Sequence, residues 1–510
     1  MPIAEWVAAR AQVSPDKIAI RFNEEQISYR DLDAAIRQCA TYLSEACGVV
    51  RGDRVAYLGY NHPDILILLG ALSKLGGILV PLNWRLAGPE LAYMMADARP
   101  VLLIVQPAFE DVALAIAVKA KVRVFGPDGN ELRAQDGPAT ASPAGGQGRP
   151  NDPLLICYTS GTTGRPKGAV LTQAALASNA RNAVEMHAMT PADRILTVLP
   201  MFHVGGLNIQ TTPALYVGAE VTVHERFDPQ ATLTALLQDS PTLIVLVPAT
   251  IQAMMKLPDW NAAYFKELRA IATGSSDVPI DLIKAVETKG TAVIQVYGAT
   301  ETAPVALFQT TADREGERSK VELGAIGRPG SETACRLVDP ETGQEVPQGT
   351  VGEFWIKGAH VATGYWEDTT ATEETFDTGW FASGDLGWVD DNGCYWFVDR
   401  LKNVVISGGE NIYPAELERV LRRVEGVIEA VAVGITDLKW GQVPVAVLVA
   451  FDDHTVVRER VQEAFDRQLA RYKHPKQIAF LAELPKTALG KPKRDEIAEL
   501  VAHSPASALM

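Results

Sequence analysis

The sequence has few cysteines for its length. The five that occur among 510 residues are Cys39, Cys47, Cys157, Cys335 and Cys394, and their spacing matches no metal-binding motif. So few cysteines argue against a small disulfide-stabilised secreted protein. We therefore expect free thiols and a reducing, cytoplasmic location.

Long apolar runs are also missing. The most apolar stretch, residues 65–82, is interrupted by Lys74 and by Gly76-Gly77. A membrane-spanning helix needs about 20 consecutive apolar residues. We predict a buried helix followed by a strand in this stretch, and no transmembrane segment. The N-terminal residues lack a basic segment leading into an apolar core, so no secretory signal is predicted either.

An excess of positive charge is the third absence. The chain has 47 Lys and Arg against 62 Asp and Glu, a net charge of −15. This balance argues against binding to nucleic acid or to an anionic membrane surface. The composition, 47% hydrophobic and 21% charged, is that of an ordinary globular protein. Any bound nucleotide must therefore be held by local positive groups.

Short apolar segments of strand length alternate with segments of helical composition over much of the chain. The predicted strands are residues 54–58, 78–81, 101–105 and 154–157, and then 194–198, 220–223, 242–247, 268–272 and 292–296. Such alternation indicates parallel sheets covered by helices. Residues 324–400 change to short β-like runs separated by turns, and residues beyond 401 suit a separate small α+β domain.

One segment, YTSGTTGRPKG at residues 158–168, has the composition of a polyphosphate-binding loop. It contains three glycines, three threonines, a serine and Lys167. Glycine lets main-chain amides turn toward an anion, and hydroxyls add further donors. The order differs from a Walker loop, in which Ser or Thr follows the lysine. We predict a strand before the loop and a helix over residues 169–187 after it.

Other segments carry residues suited to nucleotide chemistry. QVYGATET, residues 295–302, places Tyr297 and Glu301 where a strand ends, and ligands bind at that edge of open α/β sheets. Glu301 offers oxygen ligands of the kind that Mg²⁺ prefers. The remaining segments are LPMFHVGGL (199–207), GWFASGDLG (379–387), FVDRLKN (397–403), SGGENIYPAELE (407–418) and LPKTALGKPKR (484–494).

Together and in this order, these segments resemble the adenylate-forming enzymes: acyl-CoA synthetases, luciferases and the adenylation domains of peptide synthetases. The resemblance extends from Tyr29 to Arg494. It implies an α/β fold with a large N-terminal domain of two similar α/β units plus a small β unit, residues 1–400. A small mobile α+β C-terminal domain, residues 401–510, follows it.

The resemblance also implies roles for individual residues. The implied catalytic residues are Lys491, Glu301 and His203, and the implied metal-binding residues are Thr159 and Glu301. The implied ATP-binding residues are Thr159, Ser160, Gly161, Thr162, Thr163, Gly164, Lys167, Gly274, Ser275, Gln295, Tyr297, Gly298, Thr300, Asp385 and Arg400. The acyl pocket would contain His203, Val204, Gly205, Asn208 and Ala299, while Lys402, Ser407, Gly408 and Gly409 would serve the interdomain hinge and CoA. Around Gly274 the chain departs from the family's commoner Gly-Gly-Ala form.

The implied activity is an ATP-dependent acyl-CoA ligase that uses Mg²⁺ and CoA and releases AMP and pyrophosphate. Two alternatives stay open: an adenylating enzyme that loads a carrier protein, and a nucleotide-binding protein without turnover. The expected acyl segments are small and uncharged, which favours a fatty or aromatic acid. The Lys491 loop resembles the acetylation site of bacterial acyl-CoA synthetases, which implies a lysine acetyltransferase as a regulator. The sequence leaves the oligomeric state open, a homo-oligomer included.

Overall fold

The computed structural model describes residues 2–117, 121–124, 148–159, 165–274, 278–314, 321–486 and 491–503. The chain forms two compact units. The first contains Met1–Arg336, Trp355–Ser383 and Asn392–Tyr395, and the second contains Leu337–Phe354, Gly384–Asp391 and Trp396–Met510. Compactness alone does not identify a domain boundary, so the boundary predicted at residue 400 stays a prediction.

A six-stranded sheet forms one half of the first unit. Its strands lie in the order Lys121–Val124, Leu102–Val105, Arg54–Leu58, Ile78–Leu82, Pro153–Thr159 and Lys167–Thr172. All neighbours are parallel except the last two, which are antiparallel. The strands predicted here from apolar runs are confirmed.

A nine-stranded sheet forms the other half of this unit. Its strands lie in the order Arg328–Pro329, Leu307–Phe308, Ala292–Tyr297, Ala270–Gly274, Leu243–Val245, Arg194–Thr197, Glu220–Val223, Ile18–Phe22 and Glu25–Ser28. The central six are parallel. The strand Ile18–Phe22 pairs with Glu220–Val223, so the start of the chain completes the later sheet.

Helices cover both sheets. Those found in the described part of the first unit are Ile3–Val13, Tyr29–Glu45, Pro63–Leu75, Gly88–Ala98, Glu110–Ile116, Gln173–His187, Val204–Asn208, Thr211–Val217, Pro229–Gln238, Pro248–Met255, Ile280–Glu287, Thr311–Arg314 and Thr369–Thr375. The helix Pro63–Leu75 is buried along nearly its whole length and ends at Gly76, whose φ is 71°. As predicted, a strand follows it. No helix within the described ranges is long and apolar enough to cross a membrane.

The helix predicted over residues 169–187 is wrong in its first four residues. Residues Lys167–Thr172 form a strand, and the helix begins only at Gln173. Ala169, Val170 and Leu171 are buried and pair with Cys157, Ile156 and Leu155 of the preceding strand. The Thr172 hydroxyl accepts a hydrogen bond from the Ala175 amide and so caps the helix. The phosphate-loop segment therefore connects two strands of a hairpin.

The region of residues 324–400 contains short strands, as predicted. They are Ala334–Val338, Gly352–Lys357, Phe376–Asp377, Trp380–Val389 and Tyr395–Arg400. Gly393, between the last two, has a φ of 73°, a conformation that glycine adopts without strain.

The second unit contains a five-stranded sheet. Glu410–Ile412, Val405–Ser407, Gly441–Ala450 and Val427–Asp437 lie side by side, and Gln477–Phe480 pairs in parallel with Gly441–Ala450. The helices of its described part are Pro414–Leu421, His454–Gln468 and Arg494–His503. Leu417, Leu421, Val457 and Phe465 pack on one face of the sheet. Residues beyond 401 thus combine helices with a sheet, as the α+β prediction expects.

Candidate active site

A tight turn follows the central strand Ala292–Tyr297 of the nine-stranded sheet. A side chain at Gly298 would place Cβ 1.8 Å from the carbonyl oxygen of Pro304, so only glycine fits there. The Ala299 amide donates to the Thr302 hydroxyl at 2.9 Å. Thr300, Glu301 and Thr302 then form one turn of 3-10 helix and are buried. The turn therefore fixes the position of the Glu301 main chain, from which its side chain extends.

Glu301 is held by Tyr365, a residue that the sequence analysis missed. The Tyr365 hydroxyl donates to Glu301 Oε1 at 2.7 Å, and the Ala362 amide donates to the Glu301 carbonyl oxygen at 2.7 Å. Burial and the charge of Glu301 raise the pKa of Tyr365. Glu301 is only 7% exposed, which excludes a solvent-facing surface carboxylate. The only sequence signal for Tyr365 was an aromatic pair after Gly364.

Tyr365 also connects Glu301 to the phosphate-loop hairpin. The ammonium group of Lys167 lies 5.3 Å from the centre of the Tyr365 ring, within the range of a cation–π contact. Tyr365 forms an isolated antiparallel bridge with Ala169, and the Trp366 amide donates to the Gly168 carbonyl oxygen at 2.7 Å. The candidate metal carboxylate and the candidate phosphate lysine thus share one aromatic neighbour.

The residues present suit Mg²⁺. No group of three or more His, Cys, Asp or Glu side chains in the described ranges is placed to hold a metal ion. Mg²⁺ is commonly bound through one or two carboxylates together with substrate phosphates and water. A single constrained carboxylate, Glu301, fits that pattern.

The ends of the phosphate loop lie close together. Thr159 and Lys167 are register partners at the loop end of the hairpin, and the Thr159 hydroxyl donates to the Lys167 carbonyl oxygen at 3.4 Å. The loop residues Ser160, Gly161, Thr162, Thr163 and Gly164 lie outside the described residues, as does Ser275. Their predicted roles stay predictions.

Two predicted ATP-binding residues on neighbouring strands make contacts within the sheet. Gly274 ends its strand, and a Cβ there would lie 2.2 Å from the Val296 carbonyl oxygen. The side-chain amide of Gln295 donates to the Ala325 carbonyl oxygen at 3.1 Å. Gln295 is buried and therefore supports the strand on which the partly buried Tyr297 lies.

The candidate acyl segment forms a short buried helix, Val204–Asn208. His203 is its N-cap, and its Nδ1 accepts from the Gly205 amide at 3.0 Å. A Cβ at Gly206 would lie 2.3 Å from the Pro200 carbonyl oxygen. The structure thus gives His203 a role in starting the helix, and its catalytic role stays a prediction. Asn208 is fully buried, and its carbonyl oxygen accepts from the Asn179 side chain at 2.7 Å.

Three charged residues interact within the second unit. Arg400 Nε lies 3.2 Å from a carboxylate oxygen of the buried Asp385. The pKa of Lys491 is lowered, first by burial of its ammonium group among protein atoms and second by the positive charge of Arg400, while Asp385 opposes the shift. The residue as a whole is nevertheless solvent-exposed. The charges of Asp385 and Arg400 therefore both act on the ammonium group of Lys491.

Asp399, which no sequence motif marks, organises the start of the small domain. This buried carboxylate accepts from the Arg400 amide at 2.7 Å, the Asn403 side chain at 3.1 Å and the Ala415 amide at 2.7 Å. It thereby ties the turn containing Lys402 to the first turn of the helix Pro414–Leu421.

The Gly408-Gly409 pair forms the two-residue turn between Val405–Ser407 and Glu410–Ile412. The φ angles are 61° and 88°, which favour glycine at both positions. A Cβ on Gly408 would lie 2.7 Å from the ring of Trp440, whereas a Cβ on Gly409 would have no neighbour within 4 Å. Gly409 therefore leaves an open space on the turn.

Sequence comparison identifies the family. The model of the AMP-binding enzyme family matches residues 7–366, and that of the AMP-binding enzyme C-terminal domain matches residues 416–491. The chain belongs to the AMP-binding enzymes. The resemblance to adenylate-forming enzymes and the expected fold class are therefore confirmed.

Similar proteins span the whole chain. An indoleacetate–CoA ligase of Aromatoleum aromaticum is 43% identical over 98% of each chain. A feruloyl-CoA synthase of an Amycolatopsis species is 39% identical over 97% of this chain and 98% of its own. A solved structure of O-succinylbenzoate coenzyme A synthetase from Bacillus subtilis, in complex with ATP and magnesium ion, superimposes with a TM-score of 0.85. It is 28% identical and covers 97% of this chain and 99% of its own.

These findings confirm the predicted class of enzyme. The chain is an AMP-forming acid–thiol ligase, an ATP-dependent acyl-CoA synthetase acting on an acid with an apolar tail. It uses ATP, Mg²⁺ and CoA. The comparisons contain no support for a carrier-protein acceptor.

Removing the Tyr365 hydroxyl tests its contact with Glu301. A hydrogen bond to a charged group contributes about 1.5–3 kcal/mol, so we expect Tyr365→Phe to lower adenylation about tenfold or more. The loss should be greatest at limiting Mg²⁺, where placement of the carboxylate matters most. Pyrophosphate release as a function of Mg²⁺ concentration measures it. Tyr29→Phe, which removes a buried hydroxyl bonded to the Ala219 carbonyl oxygen, is the matched control. An unchanged Mg²⁺ dependence in Tyr365→Phe would refute the role.

The lowered pKa of Lys491 predicts the pH dependence of adenylation. A lysine that must be protonated loses its effect as pH rises through its pKa. The decline of activity with rising pH should therefore begin at a pH below 10.5, the pKa of an unperturbed lysine. Arg400→Gln removes a positive neighbour and should shift this decline to higher pH. Asp385→Asn should shift it to lower pH. The pH profile of kcat/KM for pyrophosphate release measures both, with Lys486→Met, a change of a nearby lysine in the sequence, as the control. Shifts in the reverse directions would contradict the assignment.

Proposed function

We propose that the chain is a CoA ligase for an aromatic carboxylic acid. The observation that carries this proposal is the full-length similarity to an indoleacetate–CoA ligase and to a feruloyl-CoA synthase. Both names specify an acid with an aromatic ring, although the two rings and linkers differ.

The described part of the candidate acyl pocket supports an uncharged tail. Val204, Gly205, Asn208 and Ala299 carry neither a carboxylate, which an amino group would require, nor an arginine, which a second carboxylate would require. Burying a charged substrate group beside such residues without a partner is unfavourable. A flat apolar ring has no such cost.

In the first half-reaction the acid's carboxylate attacks the α-phosphorus of ATP, forming an acyl-adenylate and releasing pyrophosphate. Glu301, held by Tyr365, would bind Mg²⁺, which neutralises phosphate charge when bound. The hairpin loop and Lys167 would hold the phosphates, Thr300 would donate to the α-phosphate, and Lys491 would offset the negative charge that develops there. Asp385 and Arg400 would bind the ribose.

In the second half-reaction the CoA thiol attacks the acyl carbon and AMP departs. We assign the turn containing Ser407, Gly408 and Gly409 to the pantetheine chain and Lys402 to the hinge. The turn has the two properties this role needs: a main chain fixed by its positive φ angles, and open space at Gly409.

Regulation, assembly and location are also proposals. Acetylation of Lys491 by a lysine acetyltransferase would remove the charge that adenylation uses. We also propose that the protein forms a homo-oligomer and that it is located in the cytoplasm. The presence of all five cysteines as free thiols supports a reducing compartment.

A panel of acids tests the proposed substrate class. We expect kcat/KM to be highest for arylacetic or arylpropenoic acids and at least about tenfold lower for fatty acids of similar length. AMP release is measured for each acid with CoA, and acyl-CoA is identified by mass. Higher kcat/KM for the fatty acids would overturn the proposal.

The two half-reactions should respond to different substitutions. Lys491→Ala removes a transition-state charge and should lower adenylation by ~10²–10³, while thioester formation from supplied acyl-adenylate survives. Gly409→Leu should do the reverse by filling the open space on the turn. Asparagine tolerates a positive φ, so the variant Gly409→Asn separates the effect of backbone strain from the effect of side-chain bulk. Single-turnover assays of each step decide this, and equal losses of both steps in both variants would reject the assignment.

A further inference from the structure

A small cavity lies beside the candidate acyl segment. Its volume is about 10 Å³, which leaves room for a single water-sized group. Three polar residues line it, Thr197, Gln210 and Thr211, together with Gly206. The apolar residues Leu196, Val198, Leu199 and Val245 complete the lining. Gly206 belongs to the helix Val204–Asn208, and Gln210 follows two residues after it. The cavity therefore borders the segment assigned to the acyl group.

The side-chain amide of Gln210 is oriented by His187. His187 Nδ1 lies 2.8 Å from the Ala183 carbonyl oxygen, which only accepts hydrogen bonds, so Nδ1 must carry the proton. Burial lowers the pKa of His187 to about 4, and the ring is therefore neutral with Nε2 as an acceptor. The Gln210 atom 2.9 Å from Nε2 must then be the donor nitrogen. Gln210 Oε1 is therefore not used by His187, and Gln210 lines the cavity.

No hydrogen-bond donor among the described residues reaches Gln210 Oε1. Because Gln210 is only 1% exposed, bulk water does not satisfy this oxygen either. The two hydroxyls that line the cavity have already used their protons. Thr211 Oγ1 donates to the Gly206 carbonyl oxygen at 2.7 Å, so in the 2.8 Å contact between the threonines Thr197 Oγ1 must be the donor. The cavity thus offers its occupant an acceptor oxygen that has no donor among the described residues, and a hydrogen-bond donor would satisfy it.

We propose that Gln210 Oε1 accepts a hydrogen bond from an O–H or N–H group on the ring of the aromatic acid. The enzyme then selects aryl acids that carry such a donor. This inference rests on the proposed function and specifies its substrate class. A site built to bond a donor rejects an analogue without one, because the buried acceptor is left unpaired.

Matched pairs of acids test the inference. Indole-3-acetate is compared with benzofuran-3-acetate, and 4-hydroxycinnamate with 4-fluorocinnamate, so that each pair differs mainly in the donor. For at least one pair we expect wild-type kcat/KM to favour the donor-bearing acid about tenfold or more. Gln210→Met should reduce that preference to about twofold or less. Gln210→Glu, kept protonated by burial, donates to His187 and retains an acceptor oxygen, so it should retain the preference.

Gln173→Met is the control variant, because Gln173 is an equally buried glutamine bonded to Ser73. It should leave the preference unchanged. Activation of aryl acids without a donor preference in the wild type, as expected if a fixed water fills the cavity, would overturn the inference and leave the proposed function standing. Retention of the preference in Gln210→Met would also overturn it. Activation of fatty acids alone would overturn both. If Gln210→Met does not fold, the wild-type pairs decide the outcome.

Discussion

The hydrogen bonds made by residues 362–366 position much of the candidate site in the first unit. On one side this segment pairs with the strand Lys167–Thr172, through bonds between Thr363 and Val170, between Val170 and Gly364, and between Trp366 and Gly168. On the other side Ala362 and Tyr365 bond to Glu301. The segment therefore fixes the phosphate hairpin relative to the turn that carries the candidate metal carboxylate. These are mostly main-chain bonds, so the arrangement depends on backbone geometry more than on individual side chains.

Local sequence signals were enough to predict many individual elements. The buried helix predicted in the stretch 65–82 is present as Pro63–Leu75, and Pro at its start and Gly76 after its end are strong local signals for these bounds. Residues 169–172 were assigned to a helix because alanine and leucine suit either structure. What decides their conformation is pairing with Leu155, Ile156 and Cys157, a tertiary constraint that composition does not carry.

Long-range partners in the site were the part that sequence reasoning could not supply. Glu301 was identified from its motif, but Tyr365, 64 residues further along the chain, was not. The pairing of His187 with Gln210 was missed as well, because neither residue belongs to a recognised segment. The same limit applies to Asp399, whose importance lies in main-chain amides that converge on it. Motifs mark residues that touch substrates, whereas the residues that hold them in place are found only from the folded chain.

The glycines around the acyl segment restrict how this site can diverge in evolution. At Gly206 and Gly298 the added carbon of any other residue would meet a main-chain carbonyl oxygen, at 2.3 Å and 1.8 Å, and the main chain cannot move aside without displacing the helix or the turn. At Gly205 the nearest atom is a ring nitrogen of His203 at 3.2 Å, and a side chain can yield where a backbone cannot. Of these three positions, only at Gly205 would an added Cβ meet a side chain rather than the main chain. Under the proposed assignment of this segment to the acyl group, sequence change among descendants of this enzyme is therefore expected at Gly205 before Gly206 and Gly298.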